Sequence, residues 1–157
     1  MELTRVFEAT TDLPLDRAAV FGFFSDPRNL ERLTPPWLRF RIVTPEPLPV
    51  GEGSVYEYRL SLHGLPLRWR TLITAWSEGR RFEDLQIRGP YALWYHVHTF
   101  EDLPDGGTRM TDRVQYRLPF GPVGLLALPW VARDVARIFA WREQALQDWV
   151  AETHRGG

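Results

Sequence analysis

Two consecutive strand-like segments, 91–100 and 108–118, constrain the fold more than any other feature of this sequence. Side chains alternate between the two faces of a strand, and in the second segment arginines occupy several of the odd positions. The even positions are therefore expected to face the interior, and they are Met110, Asp112, Val114, Tyr116 and Leu118. In the first segment the same alternation places four residues on the inner face, namely Trp94, His96, His98 and Phe100.

The short connection between these segments predicts that they pair as an antiparallel hairpin. Residues 101–107 contain the turn sequence Pro-Asp-Gly-Gly, which favours a tight reversal of the chain. The pairing places His96 or His98 opposite Asp112. A solid core rarely buries three titratable groups on one face, whereas a ligand-binding cavity accommodates them. The hairpin therefore predicts a cavity with these polar side chains at its floor.

The composition excludes several kinds of chemistry and partner. All 19 basic residues are arginine and there is no cysteine, which excludes lysine Schiff bases, thiol nucleophiles, disulfides and cysteine-ligated zinc. A net charge of −1 does not favour nucleic acid as a partner. At 157 residues the chain is expected to form one domain, 1–157. Thirteen prolines and the lack of cysteine fit a protein from a thermophile, and a GC-rich genome would give much the same composition.

The sequence also predicts a cytoplasmic protein without stable insertion into a membrane. The first residues lack the basic and apolar blocks of a signal peptide. The longest uncharged run, 118–132, has 15 residues and is interrupted by proline and glycine, so it is too short to span a bilayer.

The predicted elements are, in order, one strand, two short helices, six strands and one long helix. The first strand ends near Thr11, and Asp12-Leu13-Pro14 is expected to open the first helix. Asp26-Pro27 is expected to open the second helix, which Pro35-Pro36 ends. The further strands are expected at Trp37–Thr44, Ser54–Leu62, Leu67–Trp76, Arg81–Arg88, Tyr91–Phe100 and Thr108–Leu118.

A helix from 123 to about 152 is predicted by apolar residues at three- and four-residue spacing, with a kink or restart near Pro129. The apolar face of the sheet needs a cover, and only this helix is large enough. We therefore predict an α+β fold in which a seven-stranded antiparallel curved sheet wraps around a long C-terminal helix, with two short helices after strand 1. The space between sheet and helix becomes the cavity.

Three segments support this arrangement by resemblance. They are LDRAAVFGFFSDPRNL at 15–30, RGPY with WYHVH and a phenylalanine at 88–100, and LPFGP at 118–122. With this element order they resemble the START-like helix-grip superfamily, also called SRPBCC, over essentially the whole chain. Its members include lipid-transfer START domains, the birch-pollen allergen group and bacterial aromatase/cyclases. The last two segments are similar to a bacterial ligand-binding branch close to polyketide cyclase/dehydrase proteins.

The resemblance implies a deep pocket that holds a hydrophobic or amphipathic small molecule, such as a lipid, a polyketide-like or an aromatic compound. It implies no single chemistry, because this fold hosts carriers, enzymes and regulators. The residues expected to line the pocket come from the inner strand faces and from the apolar stripe of the long helix. They are Tyr56, Tyr58, Trp69, Asp84, Gln86, Trp94, His96, His98, Asp112, Val114, Tyr116, Val135, Ile138 and Arg142.

Arg142 lies between Ile138 and Leu146 on the apolar stripe of the long helix. It is expected to clamp the acidic end of a ligand or to pair with a carboxylate, unless its aliphatic stem packs while its head reaches solvent. Substitution of Asp112 by alanine is expected to change ligand affinity while the fold survives.

Two alternatives to simple ligand binding remain open. In the first, His96 or His98 paired with Asp112 acts as a general base in an aromatase/cyclase or dehydratase, so these three are the candidate catalytic residues. In the second, the chain is an interaction module similar to the co-chaperones of the superfamily.

His96, His98 and Asp112 would also suit a two-histidine, one-carboxylate metal site, but an organic ligand is preferred, so we expect no metal and no cofactor. The expected oligomeric state is a monomer or weak homodimer. Residues 119–130 are a candidate lid over the pocket, because Gly121 and Gly124 lie beside Pro129.

Overall fold

The computed structural model describes residues 3–157 and contains one curved sheet of seven antiparallel strands. The strands are β1 (Arg5–Leu13), β2 (Arg41–Ile42), β3 (Val55–Leu62), β4 (Leu65–Ser77), β5 (Arg81–Arg88), β6 (Leu93–Asp102) and β7 (Thr108–Arg117). Their order across the sheet is β1-β7-β6-β5-β4-β3-β2. The sheet therefore follows the chain order, except that β1 pairs with the last strand.

The helices occupy the predicted places. α1 (Arg17–Ser25) and α2 (Leu30–Leu33) follow β1, and α3 (Gly121–Gly124) and α4 (Leu128–Arg155) form a C-terminal helical segment of 35 residues. Pro129 lies in the first turn of α4, where its missing N–H is tolerated, so it restarts the helix. The seven-stranded sheet, the two short helices and the long C-terminal helix confirm the predicted fold class. Within residues 3–157, no helix combines the length and the apolar character needed to cross a membrane.

The start of α1 differs from the prediction. Asp12 remains in β1, where its carboxylate accepts hydrogen bonds from Arg109 of β7. The helix begins at Arg17, and the Asp16 side chain caps it by accepting from Ala19 N at 2.8 Å. The extended strand pairing with β7 therefore continues to Leu13, into the residues expected to open the helix.

The N-cap of α1 gives a test of this start. Substitution of Asp16 by alanine is expected to lower the free energy of unfolding by about 1 kcal/mol, because the Ala19 amide then loses its acceptor. Urea unfolding followed by circular dichroism measures the change. Glu143→Ala, at an exposed position within α4, is the control and should change stability by less than about 0.5 kcal/mol.

The strand predicted at Trp37–Thr44 is much shorter than expected. Residues Pro36–Leu38 form a 3₁₀ turn, and Arg39 has a left-handed backbone with φ of 47°. Only Arg41–Ile42 pairs with β3. The proline pair at 35–36 fixes the turn geometry, so the segment cannot remain extended from Trp37 onward.

The β6–β7 hairpin forms as predicted, and its register selects one of the two pairings left open by the sequence. His98 lies directly opposite Asp112, and His96 lies opposite Val114. β6 runs from Leu93 to Asp102 and so begins two residues later than predicted. In the adjacent pair, His96 lies opposite Asp84 of β5. The three strands thus carry four titratable groups to one part of the inner face.

Candidate functional site

A cavity of about 210 Å³ lies between the inner face of the sheet and α4. This volume is far above the about 15 Å³ that one water molecule requires. Ten of the predicted ligand-binding residues line it, namely Tyr56, Tyr58, Trp69, Asp84, Trp94, His96, His98, Val135, Ile138 and Arg142. Most of the remaining lining is aromatic or aliphatic, so the cavity is apolar with a small polar region.

Four predicted residues lie outside the lining. Asp112 is buried behind the two histidines, and Val114 and Tyr116 pack in a core cluster with Val135 and Phe139. Gln86 instead holds the connection before β6: its Nε2 donates to the carbonyl oxygen of Tyr91, and its Oε1 accepts from the Tyr91 amide. Strand alternation identified the inward face but could not separate a solid core from the cavity wall.

Several lining residues were not predicted from the sequence. Phe24 of α1, Leu30 of α2 and Leu38 contribute from the helical segments after β1, and Phe139 contributes from α4. The Phe139 position was recognisable, because Val135, Ile138, Phe139 and Arg142 follow the spacing of one helix face. The segments after β1 carried no comparable signal, because their packing depends on the irregular turns that follow them.

Four polar residues of the cavity wall form one cluster with the buried carboxylate behind them. The five residues are Asp84, His96, His98, Arg142 and Asp112. His96 Nε2 donates to Asp112 Oδ1 at 2.7 Å, and His98 Nε2 donates to Asp84 Oδ2 at 2.7 Å. The imidazole rings of the two histidines stack with centroids 3.7 Å apart. We refer to these five residues as the polar cluster.

The second nitrogen of each histidine faces the other carboxylate. His98 Nδ1 lies 3.1 Å from Asp112 Oδ1, but the angle does not allow a hydrogen bond, and this buried atom has no other partner. His96 Nδ1 lies 4.0 Å from Asp84 Oδ2. Each imidazole is therefore placed between Asp112 on one side and Asp84 on the other.

Arg142 completes the polar cluster from α4. One terminal nitrogen lies 3.7 Å from Asp112 Oδ1, and the guanidinium carbon lies 5.3 Å from the centre of the Phe24 ring and 5.6 Å from that of Phe139. Arg142 is 9% exposed, so its head does not reach solvent, and its Nε is buried without a hydrogen-bond partner. This geometry excludes a head that reaches solvent and fits pairing with a carboxylate, and a clamp on the acidic end of a ligand stays a prediction.

Burial and the neighbouring positive charges have opposite effects on the pKa values of the two carboxylates in the polar cluster. Burial raises the pKa of Asp112, but Arg142 and the two histidines outweigh burial and hold that pKa well below its usual range. Burial likewise raises the pKa of Asp84, and the bond from His98 with the nearby positive charges lowers it further than burial raises it. Both carboxylates are therefore ionised.

The two histidines have different electrostatic environments. Burial lowers the pKa of His98, but the two carboxylates outweigh burial and raise it above its usual value. For His96, burial and the neighbouring His98 lower the pKa more than Asp112 and Asp84 raise it. Of the two imidazoles, His98 is therefore the one whose protonated form the cluster favours.

Some donors expected to serve a ligand are already used within the protein. The Tyr56 hydroxyl donates to the carbonyl oxygen of Pro49, and Trp69 Nε1 donates to Thr71 Oγ1 at 3.1 Å. Burial raises the pKa of Tyr58 well above its usual value, so its phenol stays protonated. Tyr56 and Trp69 therefore present mainly their ring surfaces to the cavity.

Asp84, His96 and His98 also satisfy the requirements of a metal-binding group better than the triad predicted with Asp112. One ligand atom from each of the three lies within 4.8 Å of the others, and all three residues line the cavity. Asp112 faces the opposite nitrogens of the same two rings. The carboxylate closest to the cavity is therefore Asp84.

No protein-family model matches the sequence, and no curated protein is significantly similar to it. The fold does match solved structures. The aromatase/cyclase ZhuI from Streptomyces sp. R1128 aligns with a TM-score of 0.74 and 16% identity, over 98% of this chain and 95% of that chain. A point mutant of norcoclaurine synthase from Thalictrum flavum, in complex with a transition-state analogue, aligns with a TM-score of 0.70 and 12% identity over 98% of each chain.

A third match covers only part of a much longer protein. A nucleoside-diphosphate sugar epimerase from Corynebacterium glutamicum aligns with a TM-score of 0.65 and 26% identity, over 89% of this chain but only 28% of that chain. At these identities the alignments establish architecture and leave chemistry open. The sheet order, the long C-terminal helix and these matches together show that the chain has the helix-grip fold.

Proposed function

We propose that this protein binds a hydrophobic or amphipathic small molecule in the cavity between the sheet and α4. The observation that carries this proposal is an apolar cavity of about 210 Å³ with one polar region, the polar cluster. Such sites gain affinity from apolar contact and fix orientation through a few polar groups. The aromatic walls favour a ligand with flat or unsaturated parts.

The matched structures support the same use of this fold. One is an aromatase/cyclase, and another is a synthase with a transition-state analogue bound. The cavity of the present chain lies between the corresponding elements, the sheet and the long helix. Residues that contact the ligand are expected among the lining set, with Tyr58, Trp94 and Ile138 as apolar contacts.

Native mass spectrometry of freshly purified protein, followed by denaturing extraction, tests this proposal. We expect an organic adduct that Ile138→Trp removes, because an indole at this lining position fills the cavity. Ile87→Trp is the matched control, since Ile87 is 49% exposed and lies outside the lining, and it should keep the adduct. An adduct retained equally by both variants would place the ligand elsewhere and contradict the proposal.

The same preparation distinguishes the alternatives. Conversion of the extracted compound during incubation with fresh protein would establish an enzyme of the cyclase or dehydratase kind. Capture of a partner protein that is unaffected by Ile138→Trp would indicate a co-chaperone-like module, since its interface would not involve the cavity. The 119–130 segment is tested separately: as a lid, its amide exchange should slow when the cavity is loaded.

A further inference from the structure

Each of the two stacked histidines directs one ring nitrogen towards Asp112 and the other towards Asp84 on the opposite side. His96 Nε2 and His98 Nδ1 lie 2.7 and 3.1 Å from the same oxygen, Asp112 Oδ1. The other nitrogens, His96 Nδ1 and His98 Nε2, lie 4.0 and 2.7 Å from Asp84 Oδ2. One side of the ring pair thus faces a buried carboxylate, and the other faces Asp84 at the cavity wall.

This arrangement has the form of an inner and an outer ligand shell. In metal sites, a ligating histidine usually donates its second ring N–H to a carboxylate, which fixes the tautomer and directs the free lone pair at the ion. Asp112 has this position for both histidines at once. When it accepts from His96 Nε2 and faces His98 Nδ1, the lone pairs of His96 Nδ1 and His98 Nε2 point towards Asp84.

We propose that His96 Nδ1, His98 Nε2 and a carboxylate oxygen of Asp84 bind one divalent first-row transition-metal ion, with Asp112 as the outer carboxylate of both histidines. One ligand atom from each inner residue lies within 4.8 Å of the others. Nitrogen and oxygen ligands lie about 2.0–2.2 Å from zinc, so two ligand atoms of one ion are at most about 4.4 Å apart, and binding would draw these three side chains slightly closer together. Two imidazoles and a carboxylate suit zinc and the neighbouring transition metals.

An independent observation points to the same ion. His98 is 4% exposed, yet its Nδ1 has no hydrogen-bond partner although a carboxylate oxygen lies 3.1 Å away. With an ion bound at Nε2, the ring would keep its proton at Nδ1, which would then be the donor for Asp112. The ion then takes the place of the proton on His98 Nε2, which leaves to solvent, and its double charge faces Asp84 directly.

The position of the site gives the ion open coordination positions on the cavity side. Asp84, His96 and His98 line the cavity, whereas Asp112 does not. Three protein ligands with a remaining position are the usual arrangement where a metal contacts a bound molecule. The metal would therefore select cavity ligands that carry an oxygen donor. The test of this site is independent of the proposed ligand binding, because the metal is detectable whether or not an organic ligand is bound.

Cobalt(II) titration of tag-free, chelator-stripped protein tests the site. We expect visible d–d absorption that saturates at about one ion per chain and is displaced by zinc. Three variants remove one inner ligand each. His96→Gln keeps a donor placed like Nε2 for Asp112, His98→Asn keeps one placed like Nδ1, and Asp84→Asn keeps the size of the side chain. Each should abolish the cobalt spectrum while circular dichroism shows a folded protein.

Two further variants separate the inner shell from other effects. Asp112→Asn should retain the spectrum but weaken binding about 10–100-fold, as expected for an outer-shell partner. His63→Ala is the control, because His63 is exposed and pairs with Asp134 away from the polar cluster. It should bind as the wild type does. Absence of saturable cobalt binding, or a spectrum that survives all three inner-shell variants, would overturn the proposal.

Discussion

Asp112→Ala is expected to lower the free energy of unfolding by about 3–5 kcal/mol, the range for removing one partner of a buried charge pair. Asp112 is 4% exposed and its Oδ1 lies near nitrogens of His96, His98 and Arg142. The histidines can change protonation when the carboxylate is removed, but Arg142 cannot, so a buried guanidinium loses its adjacent carboxylate. We therefore expect loss of stability, in place of the change in ligand affinity expected from the sequence.

A double-mutant cycle isolates this cause. Arg142→Met removes the buried charge while keeping an apolar side chain against Phe24 and Phe139. The double variant with Asp112→Ala should be less destabilised than the sum of the single variants, by about 0.5–3 kcal/mol. Urea unfolding in the presence of a chelator gives the four stabilities without any contribution from a bound metal. If the two changes in unfolding free energy simply add, burial of the Arg142 charge is not what makes the loss of Asp112 costly.

The β6–β7 hairpin shows how far the sequence determines the site. Its turn residues and strict alternation were sufficient to place both histidines on the inner face and one of them opposite Asp112, and the structure shows that this one is His98. A shift of one residue would have turned His96 and His98 to solvent, so the apolar pattern specifies the register strongly. The location of the polar cluster on the sheet was therefore predictable.

The contacts within the polar cluster were not predictable in the same way. Asp84 was placed on the inner face, but its bond to His98 depends on the β5–β6 register, which the sequence analysis did not assign. The burial of the Arg142 head depends on two rings, Phe24 and Phe139, that come from distant parts of the chain. These contacts are determined by tertiary packing, which strand and helix periodicity do not describe.

The short strand β2 illustrates a different limit. The apolar residues between 37 and 44 fit a strand, yet the proline pair before them starts a 3₁₀ turn, and the chain pairs with β3 at only two residues. Leu38 and Phe40 of this segment line the cavity. Irregular backbone thus supplies part of the ligand-binding wall, and alternation identifies no inner face for such backbone.

Phe21→Ala is expected to cost about 3–5 kcal/mol of unfolding free energy, the range for truncating a buried phenylalanine. Phe21 is 2% exposed, and its ring makes edge contacts with Trp76, Phe82 and Phe100 at centroid distances of 5.3, 5.9 and 5.2 Å. It anchors α1 to the sheet at the end of the cavity. Phe120→Ala is the matched control, because Phe120 is 81% exposed and its truncation should change stability by less than about 0.5 kcal/mol.

The loss at Phe21 should also reach the polar cluster. Phe82 contacts the Phe21 ring and stacks on the His98 ring at 4.1 Å, with an angle of 17° between the planes. Without Phe21, Phe82 loses an edge contact that holds its ring, and the His98 ring becomes less fixed. We expect broadened His98 ring resonances in NMR spectra of folded Phe21→Ala, while the exposed His63 is unchanged. Sharp, unshifted His98 resonances would show that the polar cluster is positioned by its own hydrogen bonds and not by the aromatic packing beneath it.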